Sequence, residues 1–163
     1  MREKLWVFIA KFLIFIAKFL VVSLVLFGLW YWKGQDLYIS ILEDSLYFFF
    51  HTLLGVNSDF SFPKDIFNNL IPFVALMTIT RGMKFRTKIS KLGWGLLLLI
   101  LEHIILSKVI YLLYPGPGME SKWYEKVSVP LYLFSASLPF PLWLLFCRKQ
   151  VVDLFMPRKA ASK

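Results

Sequence analysis

Four long apolar stretches divide this 163-residue chain, and their length leaves few folds open to it. Residues 19–32 carry no charge; residues 66–80, 92–114 and 129–146 are the other three, the third interrupted by Glu102, His103 and Lys108. At about 1.5 Å rise per helical residue, runs of roughly 14 to 23 residues approach or span a hydrocarbon layer about 30 Å thick. The expected fold is all-α and integral to a membrane: a four-helix transmembrane bundle in a single domain over residues 1–163. Its spans fall at about 12–32, 66–80, 92–114 and 129–146, with a basic tail over 147–163.

Charge between the stretches sets a direction. The head carries Arg2, Lys4, Lys11 and Lys18 against Glu3, and the loop 81–91 carries Arg81, Lys84, Arg86, Lys88 and Lys91 with no acid. Residues 33–65 are acidic, with Asp36, Glu43, Asp44, Asp59 and Asp65 against Lys33 and Lys64. Residues 115–128 balance, and the tail is basic again. Lys and Arg in short loops favour the cytoplasmic side, so both termini and the loop 81–91 are expected there. With 58% hydrophobic residues, the net charge of +9 reads as attraction to anionic lipid rather than a nucleic-acid footprint. The bilayer is the first expected partner, and nucleic acid is not one. A lone cysteine forms no internal disulfide, no Cys/His cluster suggests zinc, and no cofactor is expected.

The basic, then apolar N-terminus is not followed by a small-residue cleavage pattern; it runs into Trp30, Tyr31 and Trp32, which suit an interface and an uncleaved anchor. Ile9-Ala10-Lys11-Phe12-Leu13 recurs as Ile16-Ala17-Lys18-Phe19-Leu20, which sets Lys11 and Lys18 on nearly one helical face. That stripe faces a partner or lipid headgroups, or, more simply, two lysines snorkel to the surface. In residues 36–54 the polar positions Asp36, Ser40, Glu43, Asp44 and His51 draw one helical stripe, opposite Leu42, Leu46, Phe49, Phe50 and Leu53. An amphipathic helix on the outer leaflet is expected, because a fifth crossing would reverse every later loop. Gly55 ends it, and residues 56–63 read as an exterior loop. In the second span Asn68 and Asn69 are expected at the interface and Pro72 within the first two turns.

The run Asn69-Leu70-Ile71-Pro72-Phe73-Val74-Ala75-Leu76-Met77, the basic loop 81–91 and Gly93-Trp94-Gly95-Leu96-Leu97-Leu98-Leu99 resemble the helix, loop and helix of the exosortase/archaeosortase superfamily. With Leu29-Trp30-Tyr31-Trp32, Leu131-Tyr132-Leu133-Phe134 and Leu138-Pro139-Phe140-Pro141-Leu142-Trp143-Leu144-Leu145-Phe146, the chain resembles the small exosortase H-associated membrane proteins. The resemblance implies a role in bacterial protein sorting, in which exosortases cleave C-terminal membrane-anchored tails and transfer the product. It also exposes a departure. Exosortases place their nucleophilic cysteine near the outer end of the helix before the basic loop; Asn68, Asn69 and Leu70 stand there in this chain.

Cys147 has cationic neighbours in Arg148 and Lys149, but it sits at a helix C-terminus, which disfavours a thiolate, and neither His51 nor His103 is placed to be its base. Glu102 and His103 fall near the middle of the third span, where ionisable groups need partners. They are adjacent, so they point about 100° apart and cannot both face one narrow cavity. A contact with an exosortase-like partner, a proton-accessible cavity, or a protonated Glu102 hydrogen-bonded inside the bundle would each satisfy them. No phosphate loop, HExxH or GxSxG occurs; Pro115-Gly116-Pro117-Gly118 reads as an external turn, residues 120–128 as a short helix on the outer leaflet, and Ser135, Ala136 and Ser137 as a small-residue patch. The favoured function is a non-catalytic accessory protein beside an exosortase-like transpeptidase. The alternative is a membrane-embedded hydrolase or transferase using Glu102, His103 and Arg81.

Overall fold

The computed structural model describes residues 2–55, 59–60, 64–113 and 122–155, and all regular structure among them is helical. Helix α1 (Arg2–Leu29) passes through a π-helical turn at Trp30–Gly34 into α2 (Gln35–Tyr47), which closes in a second π-helical turn at Phe48–Leu53. A 3-10 turn, Lys64–Asn69, opens α3 (Leu70–Ile79); α4 is Phe85–Leu113, α5 Lys122–Ser137 and α6 Pro139–Phe155. Three helical stretches are long and apolar enough to cross a membrane: Leu5–Leu53, Phe85–Leu113 and Lys126–Asp153. A shorter apolar helix covers Ile66–Ile79. Their outward faces are apolar too, with Leu24 76% and Leu145 72% exposed, which suits lipid rather than water.

The segment expected to lie apart on the outer leaflet continues α1. Gly34 keeps an ordinary helical backbone, φ −63°, so it does not cap a helix there. Neighbours hold the continuation in place. Gln35 Nε2 donates to the Lys64 carbonyl at 2.8 Å, Lys64 pairs with Asp36 at 2.8 Å, and Trp30 Nε1 donates to Asn68 Oδ1 at 3.0 Å. The polar stripe Asp36, Ser40, Glu43, Asp44 and His51 is exposed and Leu42 and Leu46 are buried, as amphipathicity dictates. Phe49 and Leu53, expected on the buried face, are 48% and 61% exposed.

Short α3 is the hub, packed against α1, α4 and α6. A helix apolar all round belongs inside a bundle, and Leu70, Ile71, Phe73, Ala75, Leu76 and Met77 are all buried. Pro72 lies in its first turn, where no N–H is needed. The chain leaves α3 at Thr80, ψ 121°, and turns on Gly82, whose φ of +83° lies in the left-handed region open to glycine. Most of the expected loop 81–91 is helix: α4 begins at Phe85. Its early start brings Lys88 Nζ within 2.6 Å of the Thr78 carbonyl and 3.1 Å of the Thr80 carbonyl, where a cation satisfies the acceptors left at a helix end.

The last expected span is two helices meeting at Leu138, with a further break at Cys147 (φ −114°, ψ 15°). Next to that break, the Phe146 carbonyl accepts from Lys91 Nζ. One apolar core gathers Leu70, Phe73, Leu76, Met77, Leu99, Trp143 and Cys147 toward the end rich in lysine. The second gathers Leu42, Leu46, Ile66, Phe67, Leu106 and Ile110 toward the other. The expected turn 115–118, the start of the expected helix 120–128 and the tail beyond residue 155 lie outside the described residues.

Candidate functional site

Between the two cores, at the junction of the 3-10 turn and α3, lies a layer of polar side chains drawn from α2, α4, α5 and that junction. Asn69 is its centre. Its Nδ2 lies 3.2 Å from the Ser135 carbonyl oxygen, 2.9 Å from Ser135 Oγ and 3.1 Å from Glu102 Oε2. A carbonyl oxygen only accepts, so the amide nitrogen must face Ser135, which leaves Oδ1 to accept. His103 Nε2 therefore carries the proton that it donates to Asn69 Oδ1 at 2.8 Å. His103 Nδ1 then accepts from the Tyr38 hydroxyl at 2.7 Å. The result is a directed relay, Tyr38 to His103 to Asn69 to Ser135 and Glu102.

The ring of His103 is fixed as well as paired. Phe67 and Tyr38 meet it edge-on with ring centroids at 5.0 and 5.7 Å, and no part of the residue is exposed. Glu102 lies 3.5 Å from His103 Nε2 through Oε2, while its Oε1 is buried with no hydrogen-bond partner. Adjacent residues on a helix point about 100° apart, yet these two converge because one carboxamide reaches both. Asn69 thus points into the bundle and is 4% exposed.

Arg81 is not part of this layer. It follows the far end of α3 from Asn69, about 15 Å away along the helix, and is exposed, facing Lys11 and Lys18 of α1 across a cavity. Glu43, Asp44 and His51 are exposed and join no shared site; His51 stacks on Tyr47 at 4.8 Å. Cys147 is buried against Met77, Sγ to Sδ 3.4 Å. Among the described residues no group of three or more His, Cys, Asp or Glu is placed to hold a metal ion. Sequence reasoning picked out Glu102 and His103 but missed Tyr38 and the inward role of Asn69, and took Ser135 for a packing residue. The available signal was chemical: a carboxamide at the mouth of a wholly apolar helix needs partners.

Taken together, the described residues are helical and apolar enough for a membrane, with a buried polar layer between two apolar cores. Compared with family models, curated proteins and solved structures, the chain finds no match.

Proposed function

We propose that this is a non-catalytic accessory protein of a bacterial inner membrane, working beside an exosortase-type sorting enzyme. The observation that carries the non-catalytic half is the full burial of His103 within the polar layer. A general base has to reach the proton that it abstracts, and His103 spends both ring nitrogens on Tyr38 and Asn69 with no exposed surface. Arg81 stands a helix length from Glu102, so the reading of Glu102, His103 and Arg81 as one reactive centre finds less support. Ionisable groups buried this way have a simpler use. They lock helices together where lipid supplies no hydrophobic drive for packing. The partner rests on the resemblance of residues 69–77, 81–91 and 93–99 to the sorting superfamily.

A four-crossing path, with the lysine-rich end in the cytoplasm, belongs to the same proposal. Charged residues bracket each passage at similar separations. Lys18 to Asp36 covers about 27 Å and Lys91 to Lys108 about 26 Å of α-helix. Lys64 to Arg81 covers about 28 Å, because the 3-10 turn rises about 2 Å per residue and stretches an otherwise short helix. Lys126 to Arg148 gives about 33 Å. All four fit a hydrocarbon layer about 30 Å thick.

Crosslinking in native membranes, followed by identification of neighbours, tests the partner. A sorting enzyme among the neighbours, and sorting that survives Cys147→Ala and Glu102→Gln, is the expected result. Unrelated neighbours, or sorting abolished by Glu102→Gln in a protein that still inserts normally, would overturn it.

A further inference from the structure

The lysine-rich end holds two adjoining cavities that the polar layer does not explain. The first, about 390 Å³, lies between α1, the Thr80–Gly82 turn and the last turns of α6, and is lined by Lys11, Lys18, Arg81 and Lys149, with Asp153 the one carboxylate among the described residues that line it. The second, about 630 Å³, shares Lys18, Thr80 and Arg81 with it and continues along Ala17, Val21 and Val22 of α1. Val21 is 63% exposed, so this cavity opens on the apolar flank of the helix.

Three pieces of backbone put the cations there. The seven-residue repeat in α1 stacks Lys11 and Lys18 on one face. Gly82, at φ +83°, folds the chain so that Arg81 stands at the end of α3 facing that stripe. The break at Cys147 redirects the last turns of α6, which supply Lys149, Gln150 and Val151 to the wall. Two other lysines nearby are already committed: Lys88 to the carbonyls of Thr78 and Thr80, Lys91 to that of Phe146. Lys11, Lys18, Arg81 and Lys149 have no hydrogen-bond or ion-pair partner among the described residues. Four cations converging on one cavity with a single acid repel one another until an anion joins them.

We propose that the first cavity binds the phosphodiester headgroup of an anionic phospholipid, with an acyl chain lying in the second along Ala17, Val21 and Val22. Charge complementarity selects the anion, and the apolar, laterally open continuation selects a lipid over a free phosphate. Basic pockets between membrane helices are built for such headgroups. The inference needs only that the chain sits in a bilayer, and it stands or falls separately from the accessory role.

The test uses the full chain, purified in detergent and mixed with defined lipids, with bound lipid counted by native mass spectrometry. Phosphatidylglycerol should be retained over phosphatidylcholine, and inorganic phosphate should not displace it. The double variant Arg81→Gln with Lys149→Gln should weaken retention about fivefold per cation removed. Lys84→Gln with Arg86→Gln, which removes two exposed cations that line neither cavity, should leave it unchanged. Arg81→Lys, which keeps the charge, should retain most of the binding and shows that loss in the neutral variant is not misfolding. Equal retention of both lipids, equal loss in both double variants, or full displacement by inorganic phosphate would each overturn the site.

Discussion

At the scale of single residues, Asn69 does more than either group it joins. Replacing it with Ala strips a partner from Glu102, His103, Ser135 Oγ and the Ser135 carbonyl together, all in apolar surroundings. A buried polar group left unpaired costs about 1–3 kcal/mol, so Asn69→Ala should destabilise by about 2–4 kcal/mol, read from thermal unfolding in a fixed detergent. Tyr38→Phe removes one terminal donor and should cost about 0.6 kcal/mol, the average for a hydrogen bond between membrane helices. Glu102→Gln keeps an oxygen able to accept from Asn69 Nδ2, and should fall within about 1 kcal/mol of the parent. If Glu102→Gln proved the most damaging of the three, Asn69 would not be the centre of the layer. The sequence marks Glu102 and His103 because charge in an apolar run is conspicuous. Their partners are invisible there: whether Asn69 meets α4 or the interface depends on how far α3 slides along α4, and that register is tertiary.

Elements differ from their sequence outlines where a contact from elsewhere takes up a backbone or side-chain group. The first span reads as ending at Trp32, yet α1 runs on into α2 because Trp30, Gln35 and Asp36 all find partners on residues 64–68. The loop 81–91 reads as solvated charge, yet it winds into α4 because Lys88 and Lys91 find carbonyls at the ends of α3 and in α6. Apolar length and amphipathic phase were legible, since both are local; joints were not. Two glycines in α4 test how tightly the elements fit. A Cβ on Gly95 would fall within the Phe73 ring, while one on Gly93 would meet nothing within 4 Å. Gly95→Ala should therefore cost about 1–3 kcal/mol through overpacking of α3 against α4. Gly93→Ala should instead gain up to about 1 kcal/mol of helix propensity. The same thermal measurement separates them, and equal effects would mean that α3 and α4 do not approach so closely.

For the whole molecule, the direction of α2 decides how the chain meets its membrane. Tyr38 meets His103 in the polar layer, and Leu42 and Leu46 belong to the same apolar core as Leu106 and Ile110, so α2 leads from that layer toward the end at which α4 finishes. Asp59 closes that end, its carbonyl accepting from Lys108 Nζ at 2.9 Å and its Oδ2 from the Tyr111 hydroxyl at 3.0 Å. At the opposite end stand Lys84 and the cation-lined cavity. Single cysteines at Glu43, Asp59 and Lys84, each exposed, in a Cys147→Ala background report the sides directly through a membrane-impermeant thiol reagent in intact cells. The four-crossing reading expects Glu43→Cys and Asp59→Cys to label from outside and Lys84→Cys only after the membrane is opened, since the lysine-rich end should stay inside. Glu43→Cys and Asp59→Cys on opposite sides would require a crossing between α2 and the 3-10 turn. That outcome conflicts with the Asp36–Lys64 pair, which ties the foot of α2 to the start of that turn at 2.8 Å. Labelling of Asp59→Cys and Lys84→Cys from one side would instead reduce α3 to a helix that dips in and returns, leaving three crossings in place of four.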